Sequence, residues 1–297
     1  MELSLFRKIV DEGRAFLRYI SMDGPGETIM NPEAFSMIRY AKAVGMRVMF
    51  STNATLLDEP IAAAVLDSGV DLIIFSVNGA TPEAYEAVHG APVYEKAVMN
   101  IRRFLERKQK SHAPILVALQ MIRLPETVSE VSAFYRQWRK VPGVDFVRVK
   151  KDVVFNNEVR PEESGNRSRR HIPCPRLWYG PVFVETNGDV YPCPGVMYKA
   201  GPVGNVQEQS MGAIWNNERM QAMRSAQAQG DESAFPECMV CEYPRPRLPL
   251  IMAGFVLDPF TVGKLMPIAE RLAFWHRVPI FDRTARPSGT RRFRTHG

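Results

Sequence analysis

Five short apolar runs, each linked to the next by a helical pattern, restrict what the first half of this 297-residue sequence can fold into. The runs cover residues 15–22, 47–52, 71–77, 115–122 and 145–150. Between them, helical spacing is read over 32–44, 57–66, 81–88, 94–109 and 127–140, and a further helix over 1–14 precedes the first run. In that first helix Leu3, Phe6, Ile9 and Val10 share one face, and Gly13 suits its end. Asn31 is the expected N-cap of the second helix, with Pro32 at its first position and Gly45 beyond its end. Strands alternating with helices on mostly short links predict a parallel sheet with helices packed outside it and right-handed crossovers. Five strands fit either a partial or a complete barrel.

All four cysteines, Cys174, Cys193, Cys238 and Cys241, fall in the second half. Four is the number that closes one metal or iron–sulfur site. The last two form a CxxC, which puts two thiolates on one turn. Between the first two, Val182, Val184 and Val190 flank Thr186-Asn187-Gly188-Asp189, and Asn-Gly is a strong hairpin signal. The hairpin would return Cys193 toward Cys174. An all-sulfur set selects zinc or an iron–sulfur cluster over magnesium, calcium or manganese, and does not separate the first two. Buried apolar thiols are the plain alternative, and disulfides are disfavoured because no secretory signal is read at the start.

In parallel α/β folds ligands bind beyond the carboxyl ends of the strands. Four features fall at such ends. Gly24-Pro25-Gly26-Glu27-Thr28 closes the first strand, and its glycines let backbone approach a ligand. Ser51-Thr52-Asn53 ends the second, Ser76-Val77-Asn78-Gly79 the third, and Gln120 lies near the end of the fourth. A ring of hydroxyls and amides suits a polar, zwitterionic, ribose-bearing ligand.

These motifs resemble those of radical S-adenosylmethionine (radical SAM) enzymes with a C-terminal SPASM domain. Gly188-Asp189-Val190-Tyr191-Pro192-Cys193 is similar to the GxxxxC of SPASM, followed in order by Gly204-Asn205, Ile214-Trp215-Asn216 and Met223-Arg224. Gly24-Pro25-Gly26-Glu27-Thr28 resembles the family's GxGEP, with Thr28 in place of proline. Ser51-Thr52-Asn53 resembles its STN, and Ser76-Val77-Asn78-Gly79 its SxDG, with Asn78 in place of aspartate. The resemblance implies an incomplete (β/α)6 barrel over residues 1–150 and a SPASM domain over 174–243. The polar, charged stretch 151–173 reads as a linker or a loop over the site, and 244–297 as a C-terminal extension with an amphipathic helix at 261–275 and a basic tail. It implies one auxiliary [4Fe–4S] cluster on Cys174, Cys193, Cys238 and Cys241, with no open iron site. It also implies S-adenosylmethionine contacts from Gly24, Gly26, Glu27, Ser51, Asn53, Ser76 and Asn78. Family members split S-adenosylmethionine reductively to a 5′-deoxyadenosyl radical on a [4Fe–4S] cluster held by CxxxCxxC. That motif does not occur in this sequence. The chain opens at the helix that would follow it, so S-adenosylmethionine and its cluster are expected only in a longer form.

The expected partners are a substrate of unassigned class (peptide, sugar or small molecule) and an electron donor such as a flavodoxin or ferredoxin. The expected compartment is the cytoplasm. No run of eighteen or more apolar residues predicts a membrane span. The net charge of +6 is mild, and the arginines after Phe281 read as a solvated end rather than a nucleic-acid footprint. Apolar (45%) and charged (24%) contents are those of an ordinary globular chain. Catalytic residues stay unassigned, with Glu27, Glu185, His89, His171 and Tyr179 as candidates. The alternative reading is a non-catalytic remnant whose four cysteines hold zinc or a structural cluster.

Overall fold

The computed structural model describes residues 1–17, 19–24, 26–151, 174, 176–194, 201–231, 233–235 and 238. The expectations for 152–173, for Cys241 and for 244–297 lie outside the described residues.

The chain opens with α1 (Leu3–Gly13), then β1 (Tyr19–Ser21), α2 (Ala34–Ala43), β2 (Arg47–Thr52), α3 (Glu59–Ser68) and β3 (Leu72–Ser76). There follow α4 (Pro82–His89), α5 (Tyr94–Ser111), β4 (Leu116–Arg123), α6 (Val131–Trp138) and β5 (Phe146–Lys151). The five strands form one parallel sheet in chain order. Such sequential order is what βα units give when each crossover has the same hand. The α/β fold class and the parallel sheet agree with the expectation.

Boundaries differ where side chains compete for the backbone. The first strand keeps only three residues, because Phe16 N–H and Leu17 N–H turn back onto Gly13 O. The helix expected from Pro32 starts at Ala34. Asn31 does accept a backbone N–H, but from Glu33, which makes a turn before the helix rather than its cap. The third helix starts at Glu59, after Asp58, whose carboxylate accepts from Ile61 N–H at 3.0 Å. Thr81 caps α4, accepting from Ala84 N–H. The helix expected over 127–140 is a 3₁₀ turn, Val128–Glu130, running into α6.

Two faces of the sheet differ. Val48, Phe50, Ile73, Phe75, Val117, Leu119 and Val147 alternate onto the helix-covered face and join the main core. The opposite face carries Met49, Leu72, Ile74, Leu116, Ala118 and Phe146 as a smaller apolar layer. Toward the carboxyl ends that second face turns polar, with Ser51, Ser76, Gln120 and Arg148. Period-two alternation produces both layers from the same strands.

The second module holds α7 (Arg176–Tyr179), β6 (Phe183–Val184), β7 (Asp189–Tyr191), β8 (Gly204–Asn205), α8 (Met211–Trp215) and α9 (Glu218–Gln229). Strands β6 to β8 make a small antiparallel sheet. The hairpin forms where expected, but through a longer turn than Asn-Gly alone. Gly188 N–H donates to Glu185 O, Glu185 N–H donates to Asp189 O, and Gly188 takes φ +89°. That is a turn closed by a left-handed glycine, the arrangement of a three-residue hairpin loop. The short strand β8 has no signal in the sequence beyond Gly204-Asn205. Gly204 has to be small, because a Cβ there would lie 2.9 Å from the Ile214 side chain.

Helix α1 is the seam between the modules. Phe6 and Val10 enter the main core, whereas Leu5 and Ile9 pack on the core of the second module. Glu12 accepts from Met211 N–H at 2.8 Å, and the Lys8 ammonium donates to Val206 O and Gln209 O.

Candidate functional site

The site lies at the carboxyl ends of β1 to β5, where loop residues turn over the polar end of the inner sheet face. After β1, Asp23 is held by three donors. Its Oδ1 accepts from Ser51 N–H at 2.6 Å and Ser51 Oγ at 2.8 Å, and its Oδ2 accepts from Ser21 Oγ. Glu27 Oε2 accepts from Asn53 N–H at 2.9 Å, which ties the first glycine turn to the loop after β2. Glu27 Oε1 is buried and has no hydrogen-bond partner among the described residues. Gly24 and Gly26 stay exposed, and Gly26 has φ +114°, a left-handed conformation that glycine adopts without strain. Thr28, where the family pattern has proline, donates its hydroxyl to Met22 O. Proline has no such donor, so the replacement gives this turn a closing bond of its own.

The loop after β3 is braced from three sides. Asn78 is buried, and its Oδ1 accepts from Ile122 N–H at 2.9 Å. Glu130 accepts from Ala80 N–H at 2.6 Å and from Thr81 Oγ1 at 2.7 Å, and Tyr94 Oη donates to Ala80 O at 2.7 Å. Gly79 packs so closely on α4 that a Cβ would lie 2.6 Å from Tyr85 N. Asn53 spends its side-chain oxygen locally, accepting from Thr55 N–H and Thr55 Oγ1. The oxygens of Asn53 and Asn78 thus shape the loops, and Ser51 is bound to Asp23, while Ser76 sits half-buried at the end of β3.

The strand register sets one polar row. Ser76 pairs with Gln120, and Gln120 pairs with Arg148. Gln120 is buried, and among the described residues neither its Oε1 nor the buried Nε of Arg148 has a hydrogen-bond partner. Lys150 follows on the same strand face, two residues along. Burial pushes the Arg148 guanidinium down to about 10, and the nearby Asp23 charge opposes this. Burial, then the Arg148 charge, pushes the Lys150 ammonium down to about 8, again against Asp23. Sequence reading missed Asp23, Arg148 and Lys150. The available signal was two cations at i and i+2 in a strand of a parallel sheet, where apolar residues are the rule.

Among the candidate acid–base groups, His89 stacks on Tyr85 with ring centroids 4.1 Å apart, and burial lowers its pKa. Burial first, then the Glu27 charge, raises that of Tyr85. Glu185 sits at the hairpin turn of the second module. His171 and the Tyr179 side chain lie outside the described residues.

In the second module Cys174 precedes α7, and its N–H donates to Gln227 Oε1 of α9 at 2.9 Å. Cys193 is buried two residues past β7. Cys238 packs against the same small core as Leu177 and Val190. Three cysteines therefore border one module, and their soft thiol donors are of the type that iron–sulfur clusters take. Among the described residues no group of three or more His, Cys, Asp or Glu side chains is gathered as a metal site, and Cys241 lies outside them.

A parallel βα sheet with a polar mouth, joined to a small cysteine-bearing antiparallel module, defines a two-part α/β protein. Residues 2–137 match the model of the radical SAM superfamily, and residues 174–242 match SPASM, an iron–sulfur cluster-binding domain. The chain belongs to the radical SAM superfamily and carries a SPASM domain. Curated relatives align over shorter stretches. A tungsten-containing aldehyde ferredoxin oxidoreductase cofactor-modifying protein of Pyrococcus furiosus is 36% identical over 80 residues, covering 26% of this chain and 22% of the relative. An AdoMet-dependent heme synthase of Methanosarcina barkeri is 29% identical over 96 residues, covering 32% and 28%. Mycofactocin maturase MftC of Mycobacterium ulcerans is 34% identical over 91 residues, covering 30% and 24%. The chain thus aligns with about a quarter of the length of these relatives. Among solved structures, anSMEcpe with bound AdoMet superposes with a TM-score of 0.57 at 14% identity, covering 92% of this chain and 89% of that one. Streptococcus suis SuiB bound to its precursor peptide SuiA superposes at 0.53 with 12% identity, covering 75% and 59%. At such identities these two likenesses establish the fold.

Proposed function

We propose that this chain serves a radical SAM/SPASM enzyme that modifies a substrate at the mouth of the sheet, with an auxiliary iron–sulfur cluster in its second module. The observation that carries the reading is the pair of domain matches in this order on one chain. Cys174, Cys193, Cys238 and Cys241 would hold the auxiliary cluster, as the only cysteines in the sequence. Gly24, Gly26, Glu27, Ser51, Asn53, Ser76 and Asn78 would line the S-adenosylmethionine side of the mouth. Glu27 supports this best, because it offers one buried carboxylate oxygen with no partner among the described residues. An ammonium group is the natural complement to such an atom. Asp23 would keep Ser51 and the loop after β2 in place. Gln120 would offer its carbonyl to a hydroxyl or amine of the bound molecule. When bound, S-adenosylmethionine with a reduced [4Fe–4S] cluster supplies the carbon radical that the family uses for hydrogen abstraction. The substrate class is left at a peptide, sugar or small molecule, and a flavodoxin or ferredoxin is the proposed electron source.

The test is metal and sulfide analysis of anaerobically purified protein. About four irons and four sulfides per chain are expected for the auxiliary cluster, falling away in a Cys193→Ala and Cys238→Ala double variant. Zinc at one per chain without sulfide would replace this reading with that of a zinc-binding module.

A further inference from the structure

We infer that Arg148 and Lys150 form an oxyanion-binding subsite at the sheet mouth, built to hold a carboxylate or phosphate of the molecule being modified. The role as a substrate subsite rests on the function proposed above, whereas the anion site itself rests on geometry. Arg148 lies in register with Gln120 on an inner face that is otherwise apolar below it. Its Nε is buried and makes no hydrogen bond among the described residues. No ion pair to Arg148 or Lys150 is present among the described residues. Among the described residues the opposing charge that acts on both is Asp23, and its carboxylate is already engaged by Ser51 N–H, Ser51 Oγ and Ser21 Oγ. Two cations therefore face one carboxylate that is committed elsewhere. A buried guanidinium without a partner is costly to a fold. A planar fork of N–H donors suits the bidentate geometry of carboxylate and phosphate. Lys150, exposed at the strand end, adds a second donor on the open side. The lowered proton affinity of Arg148 has the same origin, since an incoming anion would offset the burial of its charge.

The experiment is a titration of the full chain with phosphate and with succinate at constant ionic strength, against chloride, reading the unfolding midpoint and calorimetric binding. Both dianions should raise the midpoint of the wild type, and Arg148→Gln and Lys150→Gln should each weaken apparent binding by about tenfold, the loss of one charge-assisted contact. An Arg148→Met chain tests folding separately, since removing an unpaired buried charge should leave the anion-free midpoint unchanged or higher. S-Adenosylhomocysteine is titrated in parallel to separate the carboxylate of the cofactor from that of the substrate. Unchanged S-adenosylhomocysteine binding in the two Gln variants supports the subsite. An equal loss for S-adenosylhomocysteine overturns it in favour of a cofactor contact. No anion effect on the wild type also overturns it, whatever the iron content proves to be.

Discussion

Lys150 sits at the open end of β5, with Arg148 on its own strand and the Asp23 carboxylate across the mouth. Its pKa of about 8 in the folded chain lies below the roughly 10.4 of an unfolded lysine. Between those values the unfolded chain carries a proton that the folded chain has lost. Stability therefore rises with pH across this window and levels off above it. We expect the difference between wild type and Lys150→Gln to show this rise from about pH 8, measured as urea midpoints over pH 7–10.5. Superimposable pH profiles for the two proteins would refute the lowered affinity. At the same scale, Lys108 is handled differently. It is nearly buried, but it donates to Gly143 O at 2.8 Å and Asp145 Oδ2 at 2.6 Å, so its charge is spent on the turn before β5. Among the described residues, β5 thus has a neutralised cation from α5 at its foot and two cations without an ion pair at its mouth. That contrast separates a structural charge from a binding one.

Element boundaries in the second module depend on a few caps. Asn217 begins α9 by accepting from Met220 N–H at 2.9 Å, and its amide donates to Val203 O at 2.6 Å, joining the helix to the end of the small sheet. Ser210 caps α8 in the same way through Ala213 N–H. Arg224 donates to Leu177 O and Trp215 O and stacks over the Trp215 ring at 4.5 Å, so α7, α8 and α9 are tied around one side chain. Replacing Asn217 by alanine removes both bonds. A loss of about 1–2 kcal/mol is expected from the cap alone, read as a lower urea midpoint. A midpoint within error of wild type would show that backbone contacts suffice. The runs Gly204-Asn205, Ile214-Trp215-Asn216 and Met223-Arg224 were visible in sequence as family motifs, but the helices that carry them and the reasons for them were not. Asn205 binds Asp189 and the Asn187 carbonyl, and Arg224 serves as a hub. No periodicity encodes either.

At the scale of the molecule, α1 couples the sheet to the cysteine module. Its two apolar faces, Phe6 with Val10 and Leu5 with Ile9, enter different cores. An Ile9→Asp substitution should loosen the module while leaving the sheet intact. Hydrogen exchange in α8 and α9 should speed up by about tenfold or more, with β2 to β4 unchanged, because local opening energies differ between cooperative units. Uniform acceleration across both modules would instead mean that they unfold as one. No helix among the described residues is long and apolar enough to cross a membrane.

The sequence by itself determined the order of strands and helices in the first half, the hairpin between Cys174 and Cys193, and the motifs that mark the family. These rest on local period, turn chemistry and spacing, which a short window of chain carries. Tertiary structure alone decided the rest. Asn78 turned out to brace a loop, because its partner, the Ile122 N–H, lies on a neighbouring strand that only the fold brings close. The meeting of Asp23, Gln120, Arg148 and Lys150 depends on register across strands that lie far apart in the chain. The double face of α1 depends on a contact between residues nearly two hundred positions apart. Pairing of that kind is set by which buried surfaces fit together, and no local pattern in the chain records it.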